Sequence, residues 1–151
     1  MSFIDFMSEK NNLDRHRVFG VTIGVVSDIE DPDKLGRVKV QLPIRLKDKV
    51  TYWARVAVPF AGNEKGMFML PDVGDEVLVT FREGDIREPY IIGSLWNNKE
   101  KPEAYEVDSG KYQQRKIKFK TGHEIVVGEK PDEGFIEIKT KNGNSIHIDD
   151  K

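Results

Sequence analysis

The sequence predicts an all-β protein, and three observations carry that reading. Apolar and polar residues alternate with period two over short runs, turn-forming Gly, Pro, Asn and Asp residues separate those runs, and no helical periodicity appears between them. The clearest stretch is Gly74 to Trp96, GDEVLVTFREGDIREPYIIGSLW. Val77, Val79 and Phe81 alternate there with Leu78, Thr80 and Arg82, as a strand with one face on a core requires. Glu83-Gly84-Asp85 breaks the run, and Gly84 can take the positive φ of a tight turn. Tyr90-Ile91-Ile92 resumes a strand after Pro89. A hairpin alone is marginal in water, so other strands must cover it.

Those strands lie upstream. Val18 to Ser27 reads as a strand, Asp31-Pro32-Asp33 as a type I turn with Gly36 at its exit, and Gly36 to Leu42 as a second strand ended by Pro43. Lys47 to Val50 is a charged loop before a third strand, Tyr52 to Pro59, and Met67 to Leu70 is a short apolar strand ended by Pro71. Five or six short strands without helices suggest a small closed Greek-key barrel, with the OB-fold as the leading candidate. Closure pairs edges that would otherwise invite aggregation.

The expected division is an N-terminal segment over residues 1–16, the barrel over 17–96, a polar linker over 97–111 and a second β unit over 112–151. Phe3, Ile4, Phe6 and Met7 open the first segment, which suits either a helical turn packed on the body or a docking peptide for a partner. In the last segment, strand, glycine turn and strand occur twice. Ile117 and Phe119 match Ile136 and Ile138, Thr121 matches Thr140, and Gly122 to Ile125 matches Gly143 to Ile146, with two residues inserted at Lys141-Asn142. One face of these strands is apolar: Ile117, Phe119, Ile125, Val127, Ile136, Ile138, Ile146 and Ile148. The other carries Lys116, Lys118, Lys120, Glu124, Glu137 and Lys139. An apolar stripe of this size is avoided on soluble monomers. Two arrangements cover it. Copies of the segment wind about a common axis in a homotrimeric β-prism, with those eight residues as the trimer interface, or the strands fold back over the barrel as an extra sheet.

Composition narrows the function. The 151 residues are 33% charged and 38% hydrophobic with a net charge of −2, so no global field draws the chain to nucleic acid or an anionic membrane. The absence of cysteine removes disulfides, thiolate metal sites and thiol nucleophiles. No apolar run approaches the ~20 residues that span a bilayer. The N-terminus lacks the basic start and apolar core of a secretory signal, so synthesis in the cytoplasm without general export is expected.

Many short motifs then align with one family. Asp31-Pro32-Asp33-Lys34-Leu35-Gly36-Arg37-Val38-Lys39-Val40, Trp53-Ala54-Arg55-Val56 with Pro59, Ala61-Gly62 and Gly66, and Leu70-Pro71 with Val73-Gly74-Asp75-Glu76-Val77 form the first set. Gly84-Asp85 and Pro89 with Ile92-Gly93-Ser94-Leu95 complete it. Together they resemble the OB-fold region of contractile-injection spike proteins: the gpV-type baseplate spikes of contractile phages, the spikes of phage-tail-like bacteriocins and the equivalent part of VgrG in type VI secretion. The later Thr121-Gly122-His123-Glu124-Ile125 and Asn142 to Asp149 resemble the opening of their triple-stranded β-helix.

The resemblance implies a non-enzymatic, homotrimeric structural spike. Three OB barrels form a collar beneath a baseplate hub, three tails form an intertwined needle, and the needle pierces a target cell envelope when a sheath contracts. It also implies assembly into a phage tail or tail-like particle, where either a separate PAAR-like tip protein completes the short needle or the sequence is a truncated piece of a longer one. Two departures matter. Some relatives insert a cell-wall-cleaving domain where this chain has only Asn97 to Ser109, and VgrG carries a large hub where this chain has about 16 residues. An envelope hydrolase is disfavoured accordingly.

No catalytic or cofactor-binding residue is expected, because His16, His123 and His147 belong to no nucleophile–base constellation. Some relatives hold a tip iron ion through a His-X-His pair. Here His147 is the single weak candidate ligand, and if Ile146 and Ile148 face the axis, strand alternation turns it outward. Asp75-Glu76 and Asp149-Asp150 read as turn and terminal residues. The alternative function is an OB module for single-stranded nucleic acid, using Trp53, Tyr52 and Phe68 beside the basic Arg37, Lys39, Arg45, Lys47 and Lys49. Trp and Phe at those positions are more often core, and the basic residues more often a solvated face.

Overall fold

The computed structural model describes residues 17–42, 50–103 and 107–150. The proposed docking peptide over residues 1–16, the strand stop at Pro43, and Arg45, Lys47 and Lys49 fall outside them. The chain divides into two compact units, Met1–Lys99 and Glu100–Lys151.

The first unit is a closed five-stranded barrel with ring order β1-β2-β3-β7-β6. Its strands are β1 (Val21–Asp28), β2 (Val38–Leu42), β3 (Val50–Val56), β6 (Glu76–Phe81) and β7 (Pro89–Ser94). β1 pairs antiparallel with both β2 and β6, and a short parallel pairing of β3 with β7, Arg55 with Tyr90 and Val56 with Ile91, closes the ring. This is the all-β, OB-type barrel that the strand pattern predicts. Its core is Val26, Val38, Val40, Leu42, Ala54, Val77, Val79, Phe81, Ile86 and Ile91. The alternation read in Glu76–Phe81 is realised, with Val77, Val79 and Phe81 inside. Gly84 takes φ +82° in the turn that follows, where a 3-10 segment, Arg82–Gly84, lengthens the connection to β7.

Met67 to Leu70 is not a strand. The local pairing is the two-residue hairpin of β4 (Ala61–Gly62) with β5 (Lys65–Gly66), after which the chain runs to Pro71 outside any ladder. Phe68 is 82% exposed, so it has no core to pair it into. The third strand likewise stops at Val56 rather than Pro59, since its pairing with β7 ends where Val56 meets Ile91.

The second unit opens with a small hairpin, β8 (Val107–Asp108) with β9 (Lys111–Tyr112). It continues as a four-stranded antiparallel sheet in the order β10 (Gln114–Lys118), β11 (Glu124–Gly128), β12 (Phe135–Lys139), β13 (Ser145–Asp149). Each strand pairs with its neighbour in sequence. The two hairpins have the same turn. The Phe119 N–H donates to the His123 carbonyl and the Gly122 N–H to the Phe119 carbonyl, and Thr140, Asn144 and Gly143 repeat the pattern. Gly122 and Gly143 hold φ of +88° and +89°, which a Cβ would oppose. The repeat therefore aligns Ile117 with Ile138, Phe119 with Thr140 and Gly122 with Gly143, without the insertion inferred at Lys141-Asn142. Turn geometry, rather than the best apolar match, sets the register.

Candidate functional site

Cross-strand register places the apolar residues of the second unit on one face. Ile117 pairs with Ile125, Ile125 with Ile138, and Ile138 with Ile146. The next row joins Arg115, Val127, Ile136 and Ile148. Phe119 follows the end of β10 and is 43% exposed. Ile125 is partly covered, while Ile136, Ile138, Ile146 and Ile148 range from 48% to 63% exposed. At one end of the face, the Arg115 guanidinium meets Glu129 at 2.8 Å.

The opposite face carries Lys116, Val126, Glu137 and His147 in one row and Lys118, Glu124, Lys139 and Ser145 in the next. Lys116 lies 3.2 Å from Glu124, and Lys118 pairs with Glu103, whose carboxyl it holds below the usual range. Val126 is the only buried hydrophobic side chain among the described residues of this unit, and it sits on this charged face. Among the described residues of this unit, none covers the apolar face.

His147 lies on the charged face, away from Ile146 and Ile148. Its Nε2 is 2.9 Å from an Asp149 carboxylate oxygen, and its ring stacks on Phe135 with centroids 5.2 Å apart. Among the described residues no group of three or more His, Cys, Asp or Glu side chains is arranged to hold a metal ion. His123 is in the first hairpin turn, where its Nδ1 is 3.4 Å from the Lys141 N–H.

On the barrel, a groove of about 1020 Å³ runs over the end of β3, lined by Trp53, Arg55, Met67, Phe68 and Tyr90 among others. Arg37 and Lys39 both approach the Trp53 ring, at 5.9 and 5.7 Å from its centroid. Trp53 is half-buried and Tyr52 packs against the core, but Phe68 is exposed rather than core. Arg37 is no free cation. Its guanidinium contacts Asp31 at 2.7 Å and also Asp33.

Asp31 organises this loop. Its carboxylate accepts the backbone N–H groups of Asp33, Leu35 and Arg37 at 2.9–3.1 Å, and its side chain is only 5% exposed. The Arg37 guanidinium, foremost, and those three N–H groups outweigh burial and hold the Asp31 carboxyl well below the usual carboxylate range. Sequence reasoning saw the Asp31-Pro32-Asp33 turn and missed this role. The spacing from Asp31 to Arg37 across the glycine was the available signal. Asp75 acts similarly, accepting the Asp72 N–H at 2.9 Å, in keeping with its reading as a turn residue.

Comparison with known proteins agrees with this geometry. Residues 22–96 match the family model described as the type VI secretion system/phage-baseplate injector OB domain. The type VI secretion system spike protein VgrG4b of Pseudomonas aeruginosa is 42% identical over 69 residues, 43% of this chain and 8% of that protein. VgrG3 of Vibrio cholerae serotype O1, also a type VI secretion system spike protein, is 39% identical over 69 residues, 43% of this chain and 7% of its own length. VgrG5 of Pseudomonas aeruginosa, another such spike protein, is 35% identical over 105 residues, 64% of this chain and 13% of its own. The chain therefore spans only a small part of these relatives. The nucleic-acid-binding alternative is not favoured beside them. The barrel at residues 22–96 is thus an OB domain of the type VI secretion system/phage-baseplate injector kind, similar to the matching part of spike proteins of contractile injection systems.

Proposed function

We propose that this chain is a structural, non-enzymatic spike component that assembles as a homotrimer in a contractile injection apparatus. The observation that carries the reading is the second unit's uncovered face of Ile117, Ile125, Val127, Ile136, Ile138, Ile146 and Ile148, backed by a charged face. Three such sheets turned to a common axis bury their isoleucines against one another, and each large side chain fully buried contributes ~1.5–3 kcal/mol. Phe119 joins the seam at its end. The outer face of Lys116, Lys118, Glu124, Glu137 and Lys139 stays in water.

The product is a three-sided rod whose ladders and shared core resist bending. Mechanical loading of an envelope requires that property and needs no catalytic group. The barrels form the collar, which adjoins a hub above, while a PAAR-like protein caps the rod below. The likeness of the barrel to spike proteins of type VI secretion supports that placement.

Light scattering of the full chain at micromolar concentration tests the reading. The expected mass is three times that of one chain, with assemblies that persist in detergent. A single-chain mass with the second unit folded overturns it.

A further inference from the structure

The groove over the end of β3 sets surplus positive charge among apolar walls. Half-buried Trp53, Met67, Leu70 and Tyr90 line it, and Leu35 and Phe68 stand exposed beside them. Phe68 and Leu70 lean on Gly36, where a Cβ would lie 3.6 and 3.8 Å from their side chains. Exposed apolar side chains gathered at a concave surface mark a binding site. Arg37 and Arg87 already hold carboxylates, at 2.7 Å from Asp31 and 2.6 Å from Asp85. Arg55 does not. It lies over the Tyr90 ring, 5.7 Å from the centroid, and meets no carboxylate among the described residues. Lys34 and Lys65 also line the groove and outnumber Glu64, while Glu88 is held by Arg82 at 3.1 Å.

The chain enters the barrel beside this groove. Arg17 forms an antiparallel bridge with Asp85, and the Val18 N–H donates to the Gly84 carbonyl at 2.7 Å. Followed towards the N-terminus, the chain at Arg17 is therefore aimed along Ile86 and Arg87, and Arg87, Glu88, Pro89 and Tyr90 line the groove. Met7 stands ten positions before Arg17. Such a stretch spans at most ~35 Å and holds whatever it carries at about millimolar effective concentration. What it carries is Phe3-Ile4-Asp5-Phe6-Met7, in which the single charge is the Asp5 carboxylate.

We propose that Phe3-Ile4-Asp5-Phe6-Met7 docks in the groove of its own barrel, with the Asp5 carboxylate on the Arg55 guanidinium and the apolar side chains against Trp53, Met67 and Phe68. Two features select this occupant. The charges are complementary: one acid between two apolar pairs meets a cation that lacks a carboxylate and is flanked by aromatic and aliphatic walls. The tether is short and leaves the barrel at the groove. Apolar burial supplies the affinity. The Asp5–Arg55 pair, at a solvated surface, adds little energy but fixes the register. The assignment does not depend on the oligomeric state of the second unit.

Protection from chymotrypsin tests it in the full chain, with mass spectrometry reading cleavage after Phe6. The expected rate is about tenfold slower than in a synthetic peptide of residues 1–16, and the same at every protein concentration. Asp5→Lys and Arg55→Glu should each raise the rate about threefold, and the two together should restore protection. Phe68→Ala, at an exposed position, should also raise the rate, whereas Lys130→Glu in the second unit should leave it unchanged. Arg55 is exposed, so unchanged melting of the Arg55→Glu barrel verifies its fold. Cleavage as fast as in the peptide overturns the proposal, and so does protection that ignores both charge reversals. Protection that fades on dilution overturns it too, by giving the groove to the segment of another copy.

Discussion

The barrel and the second unit are made of similar short strands, yet they dispose of their apolar side chains differently. The barrel closes on itself, and ten hydrophobic residues lose their contact with water inside one chain. The second unit lies open, and only Val126 is buried among its described residues. A ring of five strands has an inside that its own chain can fill. A single four-stranded sheet has two outsides, and an isoleucine-rich one needs another layer. The difference teaches what each unit's core leaves to be covered: nothing for the barrel, whose core is complete, and a whole apolar face for the sheet.

The strongest way to break that contrast is a charge in the exposed isoleucine face. Ile138 is central there, paired with both Ile125 and Ile146. In the proposed trimer, Ile138→Lys would place three ammonium groups against one apolar seam, without partners to offset their desolvation. The expected outcome is complete loss of the three-chain mass by light scattering, while the barrel's melting transition persists. Loss of the barrel as well would mean that the first unit does not stand on its own core.

A core truncation addresses the other half of the comparison. Leu42 is fully buried in the barrel, and Leu42→Ala is expected to cost about 2–5 kcal/mol through lost transfer energy and a residual cavity. Denaturant titration should show that cost at every protein concentration, because no second chain completes this core. Melting of the second unit, in contrast, should rise with concentration, as association linkage requires.

Much of this contrast is legible in the sequence. Glu76–Phe81 alternates cleanly because the barrel buries one face and leaves the other wet. The isoleucines of the second unit share a face because period two admits no other result once the strands are placed. Three features escaped. Val21 to Val26 is apolar on both faces, so periodicity could not reveal that Gly24 is the inward residue; that depends on Val40 and Val79 from other strands. Met67 to Leu70 is apolar enough for a strand but lacks a ladder partner, and pairing is a tertiary property. The offset of the repeat follows the glycines of the two turns rather than the apolar residues, and Phe119 with Thr140 disguises it.

The smallest expected effect sharpens the comparison through pH. The barrel's β1–β2 loop is held by a charged group, whereas the isoleucine face carries only Arg115 at one end among the described residues. Because the Asp31 carboxyl is depressed on folding, the folded state binds its proton less readily than the unfolded chain does. Its contribution is therefore fully present above the ordinary carboxylate value, about pH 4, and is lost as pH falls from there toward the folded value. Thermal melting of the barrel from pH 6 to pH 3 should decline accordingly. Asp31→Asn keeps the shape but cannot ionise, so it should melt lower at pH 6 and lose less between pH 6 and pH 3. Parallel declines in both proteins would show that other carboxylates carry the acid response, and that Arg37 is held by geometry rather than by the charge on Asp31.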